Sequence, residues 1–288
     1  EKTKNKHIIQ EKNIFILGGE GFLGRNLADR LSGSHKCYSV GHKPSVFSAG
    51  RKDVFIEADP YLNKINRESG VVLHLIDNKT STRDVVAKER DLVKNIGLKP
   101  GDYLVFFSSV SVYFEPKSEY GQRKTFLEEF YKKYCEENNI GLAILRIFNV
   151  YGPYQLPNKP GSLIANILTD HLNNHKTIIS NLEIKRDFIY SEDIAKVVEH
   201  VINIGYQGTT DIATGRYTSI RDLISLIERQ IGEPLDIEIR GINETDYCPK
   251  PDVIFSKDVV FTELDEGLIR TADYYRKNIK LINAYERI

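Results

Sequence analysis

The sequence predicts an α/β fold, a parallel doubly wound sheet followed by a smaller, mixed C-terminal lobe. Three observations predict it. Short apolar runs alternate with helical patterns through the first 152 residues, the rhythm of strands joined by crossover helices. The first apolar run leads directly into a glycine-rich turn and an amphipathic segment. After "VYGPYQLPNKPG" the alternation loosens, and Pro153, Pro157, Pro160 and Gly161 mark a boundary or a long loop.

Taken in order, "NIFILGG" (13–19) reads as a buried strand and "FLGRNLADRLS" (22–32) as a helix, with Leu23, Leu27 and Leu31 on one face. "KCYSVGH" (36–42), "DVFIEAD" (53–59) and "VVLHLID" (71–77) are the next three strands. A helix around 84–95 precedes the strand "DYLVFFSS" (102–109), a helix over about 118–138 follows, and "LAILRIFNVYG" (142–152) closes the series. Beyond it the spacing predicts helices near 162–174, 218–231 and 263–278, with "RDFIYSEDIAKVVEHVIN" at 186–203.

The 288 residues suffice for a substantial core. Lys plus Arg equals Asp plus Glu at 40 each, so a global attraction to nucleic acid or an anionic membrane is not expected. Cys37, Cys135 and Cys248 are far apart, without metal or redox spacing, which fits a reducing compartment. No apolar run approaches the roughly 20 residues that span a bilayer. The polar start "EKTKNKHIIQEKN" has no apolar core of a signal peptide. A cytoplasmic protein is the expectation, with residues 1–12 as a polar arm. The chain contains no Met.

The glycine turn carries the first functional signal. Gly19, Gly21 and Gly24 satisfy G-x-G-x-x-G, and Gly18, Gly21 and Gly24 satisfy G-x-x-G-x-x-G. Between a first strand and its helix, such glycines let backbone N–H groups approach a pyrophosphate. A bare strand-to-helix turn is the other reading. The expected contacts in this turn are Gly18, Gly21, Phe22, Leu23 and Gly24, with Leu75 after the fourth strand. NAD-binding turns usually have an acid about 20 residues on, for the ribose 2′-hydroxyl. Here no Asp or Glu lies between Asp29 and Asp53, and the second strand ends in Gly41, His42 and Lys43. An imidazole and an ammonium can pair with a 2′-phosphate, so the sequence leans towards NADP over NAD, unless His42 and Lys43 are simply solvated. Asp59 either meets the adenine or caps a turn. Residues 13–152 form the expected Rossmann-type dinucleotide-binding domain and 153–288 mainly a substrate lobe, with about 186–205 returning to the first domain.

"FFSSVSVY" and "YGQRK" carry the second signal. Ligands of doubly wound sheets sit outside the carboxyl ends of the strands, where Ser108 and Ser109 are delivered. Tyr120 and Lys124 share a helix face one turn apart. A phenol with a neighbouring cation is expected to have a lowered pKa and to exchange a proton with a substrate oxygen while hydride passes to or from the nicotinamide. Ser109 would hold that oxygen. A surface pair on an amphipathic helix is the alternative.

"GGEGFLG", "SSVSVY", "YGQRK", "LRIFNVYGP", "RDFIYSEDIA" and "DIATG" occur in the order seen in extended short-chain dehydrogenase/reductases, and the chain most resembles the nucleotide-sugar epimerase/dehydratase branch. The resemblance implies Ser109, Tyr120 and Lys124 as catalytic residues, with Lys124 also on the nicotinamide ribose. It implies Asn149 and Arg186 as contacts to a nucleotide-sugar diphosphate, for which a guanidinium fork suits phosphate oxygens. Val110 and Ser111 stand where the family's dehydratases carry an acidic pair, which argues against a 4,6-dehydratase. The stretch from Tyr113 to Tyr120 and the approach to "LDEGLIRTADYY" are shorter than the family usually shows, and "HLIDN" replaces His-Leu-Ala-Ala. Asp77 there either touches substrate or ends the strand.

The expected activity is reduction of a 4-keto nucleotide sugar, favoured by the missing acid after the second strand. An NAD-dependent 4-epimerase is the alternative, followed by a C4 dehydrogenase or a non-catalytic dinucleotide-binding regulator. Phe126, Phe130, Tyr131 and Tyr134 on the 118–138 helix lead the resemblance to imply a homodimer; an interior helix face is the other reading. No metal is expected.

Overall fold

The structure, a computed structural model, describes residues 11–47, 49–77, 79–114, 118–241, 249–252 and 254–286. Most of the polar arm and Cys248 lie outside the described residues. Seven parallel strands form the main sheet: β1 (Asn13–Leu17), β2 (Lys36–Gly41), β3 (Val54–Glu57), β4 (Val71–His74), β5 (Tyr103–Ser109), β6 (Gly141–Ile147) and, arriving late in the chain, β10 (Gly208–Ile212). Their order is β3-β2-β1-β4-β5-β6-β10, so the chain reverses direction at β1/β4. That reversal opens the crevice in which such sheets bind ligands.

Both faces of the sheet are covered, so the central strands are buried along nearly their whole length. Ile14 and Ile16 of β1 pack with α1 (Phe22–Leu31) and α5 (Ser191–Ile204). Phe15 and Leu17 face the opposite layer, formed by α2 (Val85–Asn95) and α3 (Glu119–Glu137). Leu27 and Leu31 are fully buried and Leu23 packs against the same cluster, as the helical spacing predicts. Cys37 and Cys135 are buried free thiols, and burial pushes Cys37 up to about 11 and Cys135 to about 12. Both are therefore inert packing residues.

The run read as one strand over 142–152 is two. β6 ends at Ile147, Phe148 donates to the Ile212 carbonyl at 3.2 Å, and β7 (Asn149–Tyr151) enters a second sheet. That sheet has the order β11-β9-β7, with β9 (Lys185–Tyr190) parallel to β7 and antiparallel to β11 (Tyr217–Ser219). A two-stranded sheet pairs β8 (Thr177–Ile179) with β12 (Ile237–Ile239). Around these pack α4 (Leu163–Leu172), α6 (Ile220–Ile231) and α7 (Leu264–Glu286), the last running beyond the expected end near 278. Asn26 of α1 ties the parts together, donating to the Pro153 carbonyl at 3.0 Å and meeting Ser191 Oγ at 2.9 Å. No helix among the described residues is long and apolar enough to cross a membrane.

Candidate active site

The turn after β1 is shaped by contacts that only glycine permits. Gly18 has φ +83° and donates to the Val40 carbonyl. A Cβ on Gly24 would lie 2.3 Å from the Gly18 carbonyl oxygen, so α1 seats directly on the turn. Gly21 caps α1 without a side-chain hydrogen bond, which leaves first-turn N–H groups to an anionic ligand. Phe22 and Leu23 are half-buried behind it. Leu75 donates its N–H to the Leu17 carbonyl, and its Cβ is 3.7 Å from where a Gly18 Cβ would stand.

A cleft of about 480 Å³ opens beside this turn, lined among others by Gly18, Gly41, His42, Asp59, Ile76 and Asp77. Its size and its place next to the N-terminus of α1, which no side chain caps, fit a dinucleotide. Asp59 lines the cleft, and its Oδ1 accepts from the Tyr61 N–H at 2.8 Å, the turn cap expected of it. His42 Nε2 is 3.9 Å from Asp59 Oδ2, and Lys43 is exposed. Tyr61, another lining residue, donates to the buried Glu89 at 2.8 Å, which also bonds His74 at 2.8 Å and Tyr131. Tyr131 is thus an interior residue. Phe126 is 46 % exposed, and Phe130 and Tyr134 stack half-buried on the same helix.

At the carboxyl end of β5 the two serines part. Ser108 Oγ turns inward to Glu128 at 2.6 Å, and Glu128 in turn holds Arg146 through contacts of 2.9 and 2.6 Å. Ser109 caps the 3-10 turn Val110–Tyr113, accepting from the Ser111 N–H at 3.1 Å, and its hydroxyl also reaches the Tyr120 phenol. Lys124, one turn along α3, is 3 % exposed; its Nζ donates to the Phe107 carbonyl at 2.9 Å and lies 5.7 Å from the Tyr120 ring centre. Ser109, Tyr120 and Lys124 therefore lie together at the carboxyl end of β5.

The electrostatics differ from the expectation of a lowered phenol. Burial raises the Tyr120 pKa; the Ser109 hydrogen bond pulls it down, Asp77 pushes it up and Arg123 pulls it down, with a net rise. Lys124 is itself desolvated and its pKa falls, although Asp77 and Glu89 oppose this. Desolvation outweighs the local charges because both groups sit beneath protein. Asp77 pairs with Arg123 at 3.1 Å, at the cleft wall. Arg123 is legible in the sequence as a charged helix residue, but its partner cannot be read from spacing.

Asn149 and Arg186 lie on the small sheet. The register Asn149↔Phe188 puts Asn149 on the same face as Arg186. Asn149 Nδ2 donates to the Asp187 carbonyl at 3.2 Å, and Arg186 Nη1 to the Lys185 carbonyl at 2.9 Å. Behind them the buried Asp187 carboxylate accepts from Thr214 and Gly215, so "DIATG" is anchored next to Arg186. Among the described residues no cluster of His, Cys, Asp or Glu could hold a metal ion.

The NAD dependent epimerase/dehydratase family matches residues 14–211. A protein of Methanocaldococcus jannaschii, provisionally named UDP-glucose 4-epimerase, is 28% identical over 254 residues, covering 76% of this chain and 82% of its own. The UDP-N-acetylglucosamine 4-epimerase of Methanobrevibacter ruminantium, solved with UDP-N-acetylmuramic acid, superposes with a TM-score of 0.76 at 23% identity, covering 93% of this chain and 99% of that one. The UDP-glucose 4-epimerase of Thermus thermophilus, solved with NAD, gives 0.75 at 17% identity, with 92% and 99% covered. At those identities the two structures establish the shared fold. The family match spans more than half of the sequence, and the chain belongs to the NAD dependent epimerase/dehydratase family.

Proposed function

We propose that this member of the NAD dependent epimerase/dehydratase family is a nucleotide-sugar 4-epimerase that works with NAD. The observation that carries the reading is the grouping of Ser109, Tyr120 and Lys124 at the carboxyl end of β5, where Asp77 of the cleft wall acts on both Tyr120 and Lys124. The family description and the 4-epimerase named for the 28% identical relative support it over the reductase that the end of β2 suggests. The NADP preference inferred from His42 and Lys43 has no support in that description.

The turn from Gly18 to Gly24, Leu75 and Asp59 would hold the dinucleotide, with Lys124 on its nicotinamide ribose. When bound, it supplies a hydride acceptor and donor. Tyr120, acting as its phenolate, takes the proton of the substrate C4 hydroxyl and becomes a neutral phenol, which later returns that proton to the same oxygen. Ser109 donates a hydrogen bond to that oxygen and keeps it within reach of the phenol. Lys124, fixed by the Phe107 carbonyl, holds positive charge next to the phenolate. Asn149 and Arg186 bind the diphosphate from the small sheet, which makes 153–288 mainly the substrate lobe. Neither Val110, which is buried, nor Ser111, which bonds Ser109, offers the carboxyl that water elimination needs.

The test is to denature freshly purified protein, identify released nucleotide by mass spectrometry, and assay a panel of UDP-sugars for interconversion at C4. Retained NAD with C4 interconversion is the expected result. Net NADPH consumption on a 4-keto nucleotide sugar would restore the reductase. We also infer a homodimer through the Phe126, Phe130 and Tyr134 stripe of α3; light scattering showing a monomer at micromolar concentration would refute it.

A further inference from the structure

The end of β2 lacks an acid of its own, yet the fold brings one there from another element. Glu20 stands in the glycine turn, and its side chain lies across Gly41, the last residue of β2. A Cβ at position 41 would meet Glu20 Cγ at 3.4 Å and Cβ at 3.8 Å, so the glycine leaves this path free of any side chain. The Glu20 carboxylate is 10 % exposed. It accepts from the Ser45 N–H at 2.5 Å and from Arg51 Nη2 at 2.5 Å, contacts that fix it along the loop leaving β2. Gly41 and His42 line the dinucleotide cleft. Glu20 lines a smaller pocket together with Lys43 and Ser45, and its path across Gly41 brings it next to the strand end where an acid usually meets the ribose.

The charges around it point the same way. Arg51 is shared between Glu20 and Asp53, the latter at 2.7 Å. Arg25 is committed to Asp53 at 3.1 Å and Asp29 at 2.9 Å. His42 faces Asp59. Arg25 also lies 3.8 Å from Glu20, and the exposed Lys43 lines one pocket with Glu20, so Arg25, Arg51 and Lys43 balance the carboxylates of Glu20, Asp29 and Asp53. A 2′-phosphate, with a charge of roughly −1.5 to −2, would meet cations already neutralised by carboxylates, whereas a hydroxyl can donate to a carboxylate.

We propose that Glu20 reads the ribose 2′-hydroxyl and selects NAD over NADP, replacing the acid that β2 does not carry. The proposal rests on the dinucleotide reading of the cleft. Asp59, on the neighbouring strand end, contributes to both dinucleotides alike.

The experiment is a fluorescence titration of the full chain with NADH and NADPH, for the wild type, Glu20→Gln, Asp59→Asn and Arg51→Gln. The wild type should bind NADH at least about tenfold more tightly, the scale of one charge-assisted hydrogen bond. Glu20→Gln keeps an acceptor for Ser45 and should bring the two affinities within about threefold of each other. Asp59→Asn should leave the ratio unchanged. Arg51→Gln, which removes the cation beside Glu20, should raise the NADH preference. A wild type that prefers NADPH overturns the proposal, as does a Glu20→Gln protein with an unaltered ratio or an Asp59→Asn protein in which the ratio collapses. Should Glu20→Gln not fold, a preference unchanged or reversed in Arg51→Gln overturns it instead. A wild type that binds neither cofactor removes the dinucleotide reading itself, which the other failures leave standing.

Discussion

The Cα of Gly121 lies so close to the Ser111 carbonyl oxygen that a Cβ at position 121 would stand 2.4 Å from it. This contact seats the first turn of α3 on the 3-10 turn that Ser109 caps, and so sets the approach of Tyr120 to Ser109. Gly121→Ala must push the helix and the turn apart, because the obstacle is backbone. Helix propensity gains about 1 kcal/mol against an overpacking cost of about 1–3 kcal/mol, so stability should fall by about 0–2 kcal/mol. Misplacing the phenol should lower kcat/KM by about 100-fold. Steady-state kinetics alongside thermal melting will separate the two effects.

Tyr120→Phe removes the proton carrier and keeps the ring. A loss in kcat of about 10²- to 10⁴-fold is expected, with NADH affinity unchanged by fluorescence titration. Full turnover in this variant would eliminate the proposed mechanism.

The pH dependence follows from the raised Tyr120. In the free protein the phenol is protonated at neutral pH, so kcat/KM for alcohol oxidation should climb as pH rises. Asp77 pushes that pKa up and Arg123 pulls it down. Asp77→Asn should therefore move the acidic limb to lower pH and Arg123→Gln to higher pH. Shifts of the opposite sign in the pH profiles would show that another group governs the limb.

Asp53 should matter for stability. Burial would raise its pKa, but Arg51 and Arg25 hold it down at about 2. A depressed carboxyl contributes stability that is present above its ordinary 3.8 and is lost as pH falls through about 2. Asp53→Ala also leaves Arg25, 1 % exposed, with less compensation, and should cost about 3–5 kcal/mol at pH 7. Urea unfolding from pH 7 down to 2 should show the wild type losing its advantage over the variant below about pH 4.

Much of the site is legible in the sequence, and particular residues show why. Tyr120 and Lys124 are four apart in one helix, so their shared face is a property of helical pitch. Gly18 and Gly21 lie between a strand and a helix and Gly24 in the helix's first turn, and their spacing alone describes the turn. Ser108 and Ser109, by contrast, look equivalent in sequence. Only the position of Glu128 and Arg146 turns the first inward and leaves the second at the phenol. The break between β6 and β7 is likewise hidden, because "LAILRIFNVYG" is largely apolar. Pairing partners far along the chain, Thr210 for Leu145 and Ile189 for Val150, decide which sheet each half joins.

By itself the sequence determined the parallel α/β order, the glycine turn and the Ser-Tyr-Lys set, because each depends on short-range periodicity and on residue types a few positions apart. The tertiary structure alone decided that burial outweighs local charge at Tyr120, that Gly121 seats its helix on Ser111, and that Glu20 supplies a carboxylate where β2 has none. Those outcomes depend on desolvation and on the approach of groups distant along the chain, and neither is written in local spacing.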